Sequence, residues 1–232
     1  MDDNCALVVP EINMDDVYTK SNIIANPNCS TIQSVLPLKA INDVFGIKRV
    51  VYTTYQAVSG SGQKGVNDLV NCKNGLKPEF YPYDISKTCI PEIDEFLDDG
   101  YTKEEMKMVN ETRKILHLPN LPVSATCIRV PVENAHGVMM QVELDKEFTI
   151  DEVKEAIKNQ PGLVLYDDVK NHIYPNSLVA TDNDKIYVGR IRRDISTKNG
   201  ILMYCVADNI RKGAASNAVQ IAMALDVDKC KK

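Results

Sequence analysis

The stretch Ile186–Ile210, "IYVGRIRRDISTKNGILMYCVADNI", decides the fold class. Two runs rich in β-branched, aromatic and other apolar residues flank Lys198-Asn199-Gly200. A turn of that composition between such runs is a hairpin signal, so the two runs are expected to pair antiparallel.

Three further strands read in the same way upstream: "IKRVVYTTYQAVS", "VSATCIRVPV" and "GVMMQVELD". Helices are inserted among them. "YTKEEMKMVNETRKILH" opens with Thr102 and Glu105, an S/T-x-x-E capping box, and can turn Met106, Val109, Ile115 and Leu116 to one face. Thr149 and Glu152 cap "TIDEVKEAIKNQ", and "GAASNAVQIAMAL" closes the chain as an apolar helix. "STIQSVLPLKAINDVFG" has helical spacing at Ile32, Val35, Leu36, Ile41 and Val44, with a kink expected at Pro37, which lacks an N–H. "ALVVPEI" (Ala6 to Ile12) reads as a short strand, "SGSGQKG" as a loop, and about 67–91 as irregular. Together these predict an α+β fold: a mixed, largely antiparallel sheet with helices on one face.

The 232 residues suffice for one large domain or two small ones. Apolar residues make up 44% and charged residues 25%, and the net charge is −5, which argues against nucleic-acid binding. No apolar run approaches the ~18 residues of a membrane span. The acidic start "MDDNCALVVPEIN" has neither the basic nor the apolar part of a signal peptide, so a cytoplasmic location is expected. Seven widely spaced cysteines without C-x-x-C argue for free thiols in a reducing compartment and against a zinc site. Only His117, His136 and His172 are available if the chemistry needs histidine.

In "NPNCSTIQ" (Asn26 to Gln33) a cysteine stands directly before Ser30 and Thr31, good helix-start residues. Free N–H groups and the positive helix end would favour a Cys29 thiolate or hold an oxyanion. Packing as a small hydrophobe is the alternative, and position alone leaves both open. Arg129 and His136 lie seven apart, so a straight strand would put them on opposite faces. A break in "VENA" would let both reach one pocket, Arg129 for a carboxylate and His136 as acid or base. Spacing alone favours an exposed arginine and a structural histidine. Glu104 and Lys107 share a helix face, as an ordinary surface ion pair would. Gln56 ends a strand before "SGSG", whose glycines permit close backbone approach but make only a weak dinucleotide signal.

"NPNCSTIQ", "TYQAVSGSG", "EEMKM", "CIRVPV" followed by His136, and "ADNIRKGAASNAVQIA", in this order, resemble aspartate-semialdehyde dehydrogenase from about Leu7 to Leu225. The resemblance implies a C-terminal domain like that of glyceraldehyde-3-phosphate dehydrogenase. It also implies NADP-dependent interconversion of aspartyl-4-phosphate and aspartate semialdehyde, with phosphate as co-substrate, in lysine, threonine, methionine and isoleucine biosynthesis. Cys29 matches the thioester-forming nucleophile, Asn28 its oxyanion neighbour, Gln56 the residue orienting substrate, and His136 the acid/base. Arg129, assisted by Glu104, matches the clamp on the substrate carboxylate, and Lys107 a phosphate ligand. Ser59 and Gly60 match a cofactor-facing loop, and Asn209 a contact near the nicotinamide. A homodimer or homotetramer is implied.

The family's Gly-rich dinucleotide-binding domain has no counterpart before Cys29 in this sequence. The expected division is therefore 1–28 as a remnant strand and connection, 29–208 as the catalytic and dimerisation domain, and 209–232 as a helix that would pack on the further domain and otherwise expose apolar surface. Residues 63–86 look shorter than usual, and Gly137 follows His136 where a polar residue often comes next. The alternative is a catalytically silent dimerising domain or truncated product. A cysteine hydrolase would explain Cys29 and His136 but not Arg129, Lys107 and Gln56.

Overall fold

The computed structural model describes residues 4–18 and 22–229. Its first elements are β1 (Ala6–Leu7), α1 (Pro10–Asn13) and β2 (Ile24–Ala25). The residues 6–12 expected as one strand are divided: β1 is short and pairs parallel with β2, and Pro10 opens a helical turn. The Asn13 side chain stabilises that break, accepting from the Val9 N–H at 2.9 Å and donating to the Leu7 carbonyl at 2.9 Å.

Next come α2 (Cys29–Phe45), β3 (Ile47–Gln56), α3 (Gln63–Lys73), α4 (Lys103–Ile115), β4 (Val123–Arg129) and β5 (His136–Leu144). The chain continues through α5 (Ile150–Asn159), β6 (Leu163–Leu165), α6 (Ser177–Ala180), β7 (Ile186–Asp194), β8 (Gly200–Ala207) and, after a π-turn, α7 (Ser216–Lys229). Six strands form one sheet in the order β4-β3-β5-β8-β7-β6. The outer pairs β3/β4 and β6/β7 are parallel and the three inner pairs antiparallel. The expected mixed, largely antiparallel α+β fold is the one observed, and β7 and β8 form the expected hairpin, with a loop wider than the predicted turn.

On β3, Val50, Tyr52, Thr54 and Gln56 point inward, where α2, α4 and α5 cover the sheet. The buried Tyr52 hydroxyl meets the Thr112 hydroxyl of α4 at 2.9 Å. The opposite face carries Tyr55, Met139, Arg190, Arg192 and Tyr204 around a cavity of about 280 Å³.

Both capping boxes form: Thr102 with Glu105, and Thr149 with Glu152. Glu105 also accepts from the Cys127 N–H at 2.9 Å, which ties the start of α4 to β4. The buried face of α4 runs through Glu104, Met108, Glu111, Thr112 and Ile115; Met106, expected to join it, is half-buried beside it. The irregular stretch expected from about 67 starts later, because α3 occupies Gln63–Lys73. Beyond α3, Asp68 gathers the N–H groups of Glu79, Phe80 and Tyr81 on one buried carboxylate.

α2 runs through Pro37. The carbonyl that Pro37 leaves without its helical donor is that of Gln33, and the buried Cys205 thiol lies 3.5 Å from it as a substitute donor. The six cysteines among the described residues are free thiols, as expected; Cys230 lies outside the described residues. No helix among the described residues is long and apolar enough to cross a membrane.

Residues from both ends of the chain make a separate small cluster: Ala6, Val8, Val17 and Ile221. Beside it the buried Lys212 ammonium pairs with Glu11 at 2.7 Å. On the outside of α7, Val219 and Met223 are exposed.

Candidate active site

Cys29 is the first residue of α2 and Asn28 its N-cap. The Asn28 Oδ1 accepts from the N–H groups of Ser30 and Thr31 at 3.0 and 3.3 Å. Two N–H groups of the helix end, expected to be free for a thiolate or oxyanion, are thus already taken. Asn28 is gripped elsewhere by α4. Its Nδ2 donates to Glu104 Oε1 at 2.8 Å, and its backbone N–H donates to Glu111 Oε2 at 2.8 Å.

Cys29 is half-buried, but its surroundings are dense enough that burial, followed by the negative charge of Glu104, pushes its thiol up to about 12. The Ser30 N–H and the Arg129 charge oppose this without cancelling it. The thiol pKa therefore lies on the side of a protonated Cys29, one of the two alternatives that position leaves open. The helix end does act in the expected direction; a carboxylate brought in by α4 and desolvation outweigh it. Gly213, in the π-turn before α7, packs against this residue: a Cβ there would lie 2.9 Å from the Cys29 Cβ.

Arg129 ends β4 and His136 starts β5, and both are buried. β3 lies between the two strands, with Gln56 paired to Arg129 and Tyr55 to Gly137. The two residues meet across β3, so the odd spacing along the chain is no obstacle. The peptide groups of Ala57 join them: its carbonyl accepts from Arg129 Nη1 at 2.7 Å, and its N–H donates to His136 Nδ1 at 3.0 Å. With Nδ1 accepting, the proton of a neutral His136 sits on Nε2. Burial, then the Arg129 charge, holds His136 well below its ordinary pKa, so the ring is neutral. Arg129 Nε and His136 Nε2 are buried without hydrogen-bond partners among the described residues. Gly60 borders both: a Cβ there would lie 2.9 Å from Arg129 Nη1 and 3.0 Å from His136 Nε2.

Gln56 Nε2 donates to Glu104 Oε1 at 3.1 Å, so Asn28 and Gln56 share one carboxylate oxygen. Lys107 lies 3.4 Å from the other Glu104 oxygen and 2.8 Å from Asp94.

A protein-family model described as "Semialdehyde dehydrogenase, dimerisation domain" matches residues 38–212. The aspartate-semialdehyde dehydrogenase of Aquifex aeolicus is 51% identical over 97% of this chain and 69% of its own length. This chain belongs to the aspartate-semialdehyde dehydrogenase family. The Campylobacter jejuni enzyme is 48% identical over 96% of this chain and 67% of its own length. Aspartate semialdehyde dehydrogenase II from Vibrio cholerae superposes with a TM-score of 0.92 at 44% identity, covering 98% of this chain and 70% of that one. This chain corresponds to the catalytic and dimerisation part of these NADP-dependent oxidoreductases of amino-acid biosynthesis.

For an aspartate-semialdehyde dehydrogenase, the structure gathers Cys29, Asn28, Gln56, Glu104 and Lys107 around the start of α2, and Arg129, His136 and Gly60 around Ala57. Ser59 and Asn209 adjoin the second group. The Asn209 Oδ1 accepts from the Ala135 N–H at 3.0 Å, and its Nδ2 donates to Ser59 at 3.0 Å. Asn209 is buried and braces Ala135, whose φ of +69° turns the chain into His136. The residues expected against NADP therefore fit unevenly. Gly60 offers a bare backbone beside the unpartnered Nε2 of His136, whereas the polar atoms of Asn209 are occupied within the chain.

Sequence reasoning missed Ala57, Glu111 and Gly213. Ala57 and Gly213 act through backbone and through lack of bulk, which leave no chemical mark. Glu111 did leave a signal, since it follows Glu104 by seven residues on a capped helix and so lies on the same stripe.

Proposed function

We propose that this chain acts in the reductive dephosphorylation of aspartyl-4-phosphate to aspartate semialdehyde through a thioester on Cys29. The observation that carries this reading is the Ala57 junction, which holds Arg129 and His136 together while leaving Arg129 Nε and His136 Nε2 buried and unpartnered. Each such buried donor costs about 1–3 kcal/mol unless a ligand satisfies it.

Cys29 Sγ attacks the acyl carbon and phosphate departs, leaving the thioester. The thiol gives up its proton to the departing phosphate as the bond forms, in keeping with its protonated resting form. His136, neutral with its proton on Nε2, donates a hydrogen bond from Nε2 to the oxygen of the reacting carbonyl. Arg129, through Nε, takes the substrate carboxylate, with Glu104 and Gln56 orienting the rest, and Lys107 takes the phosphate. The backbone N–H of Asn28 and one proton of its Nδ2 are engaged by α4, which fixes Cys29 and leaves the second Nδ2 proton for an oxyanion. Ser59 and Gly60 would hold the ring end of the cofactor, whose reduced form, NADPH, when bound would supply the hydride, with Asn209 as their support.

The division into 1–28, 29–208 and 209–232 is supported by the small cluster that joins the first and last segments beside the main core. The open sheet face with Tyr55, Met139 and Tyr204 is an apolar surface suited to a second copy of the chain, in a homodimer or homotetramer. A cytoplasmic location accords with the free thiols of the described cysteines.

The test is phosphate-dependent NADPH formation from L-aspartate semialdehyde by the full 232-residue chain, beside Cys29→Ala. Activity that vanishes in the variant is expected. A folded chain that forms no NADPH overturns turnover by this chain, and favours the second reading, a catalytically silent dimerising domain. That reading draws on the high pKa of the Cys29 thiol.

A further inference from the structure

We propose that Glu111 is a positioning residue for Cys29: by holding the backbone N–H of Asn28, its carboxylate fixes the turn from which the nucleophile enters α2. The proposal rests on the reading of Cys29 as the nucleophile.

Asn28 has four polar attachments, two to α2 and two to α4. Its Oδ1 caps α2, its Nδ2 goes to Glu104, and its N–H goes to Glu111. Its carbonyl accepts the Ile32 N–H at 2.9 Å, the first bond of the helix. Rotation about either side of the Cys29 peptide would break at least one of these bonds. Glu104 and Glu111 lie seven residues apart on α4, two turns along one stripe, so a single rigid helix presents both carboxylates to the residue before the nucleophile.

The position of Glu111 is otherwise suited to an apolar side chain. It is 9% exposed, and Met108, Thr112 and Ile115 beside it are fully buried. Burial raises its pKa to about 7, while the Asn28 N–H and the Thr31 hydroxyl draw it back. A carboxyl group kept there against its desolvation cost has a task, and the 2.8 Å bond to Asn28 identifies it. Capping of α2 is not that task, because Asn28 Oδ1 performs it. Without Glu111, a partly buried N–H loses its acceptor and the turn relaxes. A nucleophile displaced by about 1 Å loses on the order of a hundredfold in rate.

The test uses p-nitrophenyl acetate, an activated ester that acylates a reactive cysteine without cofactor. Cys29 acylation is compared in the full chain, Glu111→Ala and Glu111→Gln, and Asn28 amide exchange is followed by NMR. Glu111→Ala is expected to slow acylation about ten- to a hundredfold and to speed Asn28 exchange. Glu111→Gln, which keeps an acceptor, should restore both to near the parent values. Glu111→Asp, a methylene too short, replaces Glu111→Ala if that variant does not fold. A folded Glu111→Ala that acylates at the parent rate overturns the proposal, as does equal slowing in Glu111→Ala and Glu111→Gln. A parent chain whose Cys29 peptide, read by mass spectrometry apart from the exposed Cys89, gains no acetyl group instead overturns the nucleophile reading. In that case the Asn28 exchange still decides whether Glu111 holds the turn.

Discussion

Gly213 presses bare backbone against Cys29, so closely that an added Cβ would lie 2.9 Å from the Cys29 Cβ and 3.3 Å from its Cα. Helix α2 and the π-turn before α7 meet at Cys29 with no room between them. Gly213→Ala is therefore expected to destabilise the chain by about 1–3 kcal/mol, the usual cost of overpacking. It should also cut Cys29 acylation in the molecules that fold. Denaturant unfolding together with the p-nitrophenyl acetate rate checks both; an unchanged acylation rate would refute the contact.

Burial raises the Cys29 thiol pKa most, and two charged residues act on it in opposite directions. Glu104 pushes the thiol pKa up and Arg129 draws it down. Glu104→Gln should shift the pH profile of Cys29 alkylation by iodoacetamide to lower pH, and Arg129→Met to higher pH. In the parent chain the midpoint should lie well above 9, so that at pH 8 the exposed Cys89 labels faster than Cys29. Peptide-resolved mass spectrometry separates the sites, and shifts of the same sign in both variants would contradict the assignment.

How much of this was legible in sequence depends on how local each cause is. The capping boxes at Thr102 and Thr149 need only four consecutive residues and were read correctly. So was the helix start behind Cys29. Position leaves the protonation of Cys29 open, because burial and the Glu104 carboxylate come from elements far along the chain. The meeting of Arg129 and His136 was not legible, since it depends on β3 lying between β4 and β5 and pairing parallel with one of them. Helix α3 was missed because Gly65, Asn67 and Asn71 are weak helix formers. It is held by tertiary packing of Leu69 on Val58, Ile85 and Ile90.

Lys107, proposed as a phosphate ligand, is occupied by Asp94 at 2.8 Å, and Asp94 sits at a φ of +69°. An incoming anion must displace that carboxylate. The lysine is 46% exposed, so the pair is worth only about 0.2–1 kcal/mol. Asp94→Asn should therefore lower the phosphate KM about two- to fivefold, while Lys107→Ala raises it. A phosphate titration at fixed ionic strength reads this, and a higher KM in Asp94→Asn would contradict it.

Pro37 and Cys205 are expected to be coupled through the Gln33 carbonyl. Cys205→Ala removes the substitute donor and a buried sulfur, at a cost of about 1–3 kcal/mol. In a Pro37→Ala background the helix supplies its own N–H, so the same change should cost less by about 0.5–1 kcal/mol. A double-mutant cycle by urea unfolding measures the difference, and strict additivity would show that the thiol is merely packed there.

His136 and Glu111 should leave opposite and nearly cancelling marks on the pH dependence of stability. His136 is neutral in the fold, whereas an unfolded histidine protonates below about 6.5. Below that pH the unfolded chain binds the extra proton, so this residue makes stability fall as pH falls, by up to about 1.4 kcal/mol per unit. Glu111 titrates at about 7 in the fold, against 4.5 as the ordinary value. Between those values the folded chain binds the extra proton, so this residue makes stability rise as pH falls, with the same limiting slope. The neighbouring charges bear on each differently: Arg129 adds to the depression at His136, while Glu104 raises and Lys107 lowers the pKa of Glu111. Over about pH 4.5–6.5 the two contributions offset each other in the parent chain. His136→Asn should then gain stability on acidification through that window, and Glu111→Gln should lose it. Urea unfolding at several pH values distinguishes the three curves. Parallel curves would mean that one or both groups titrate with ordinary pKa values in the folded chain.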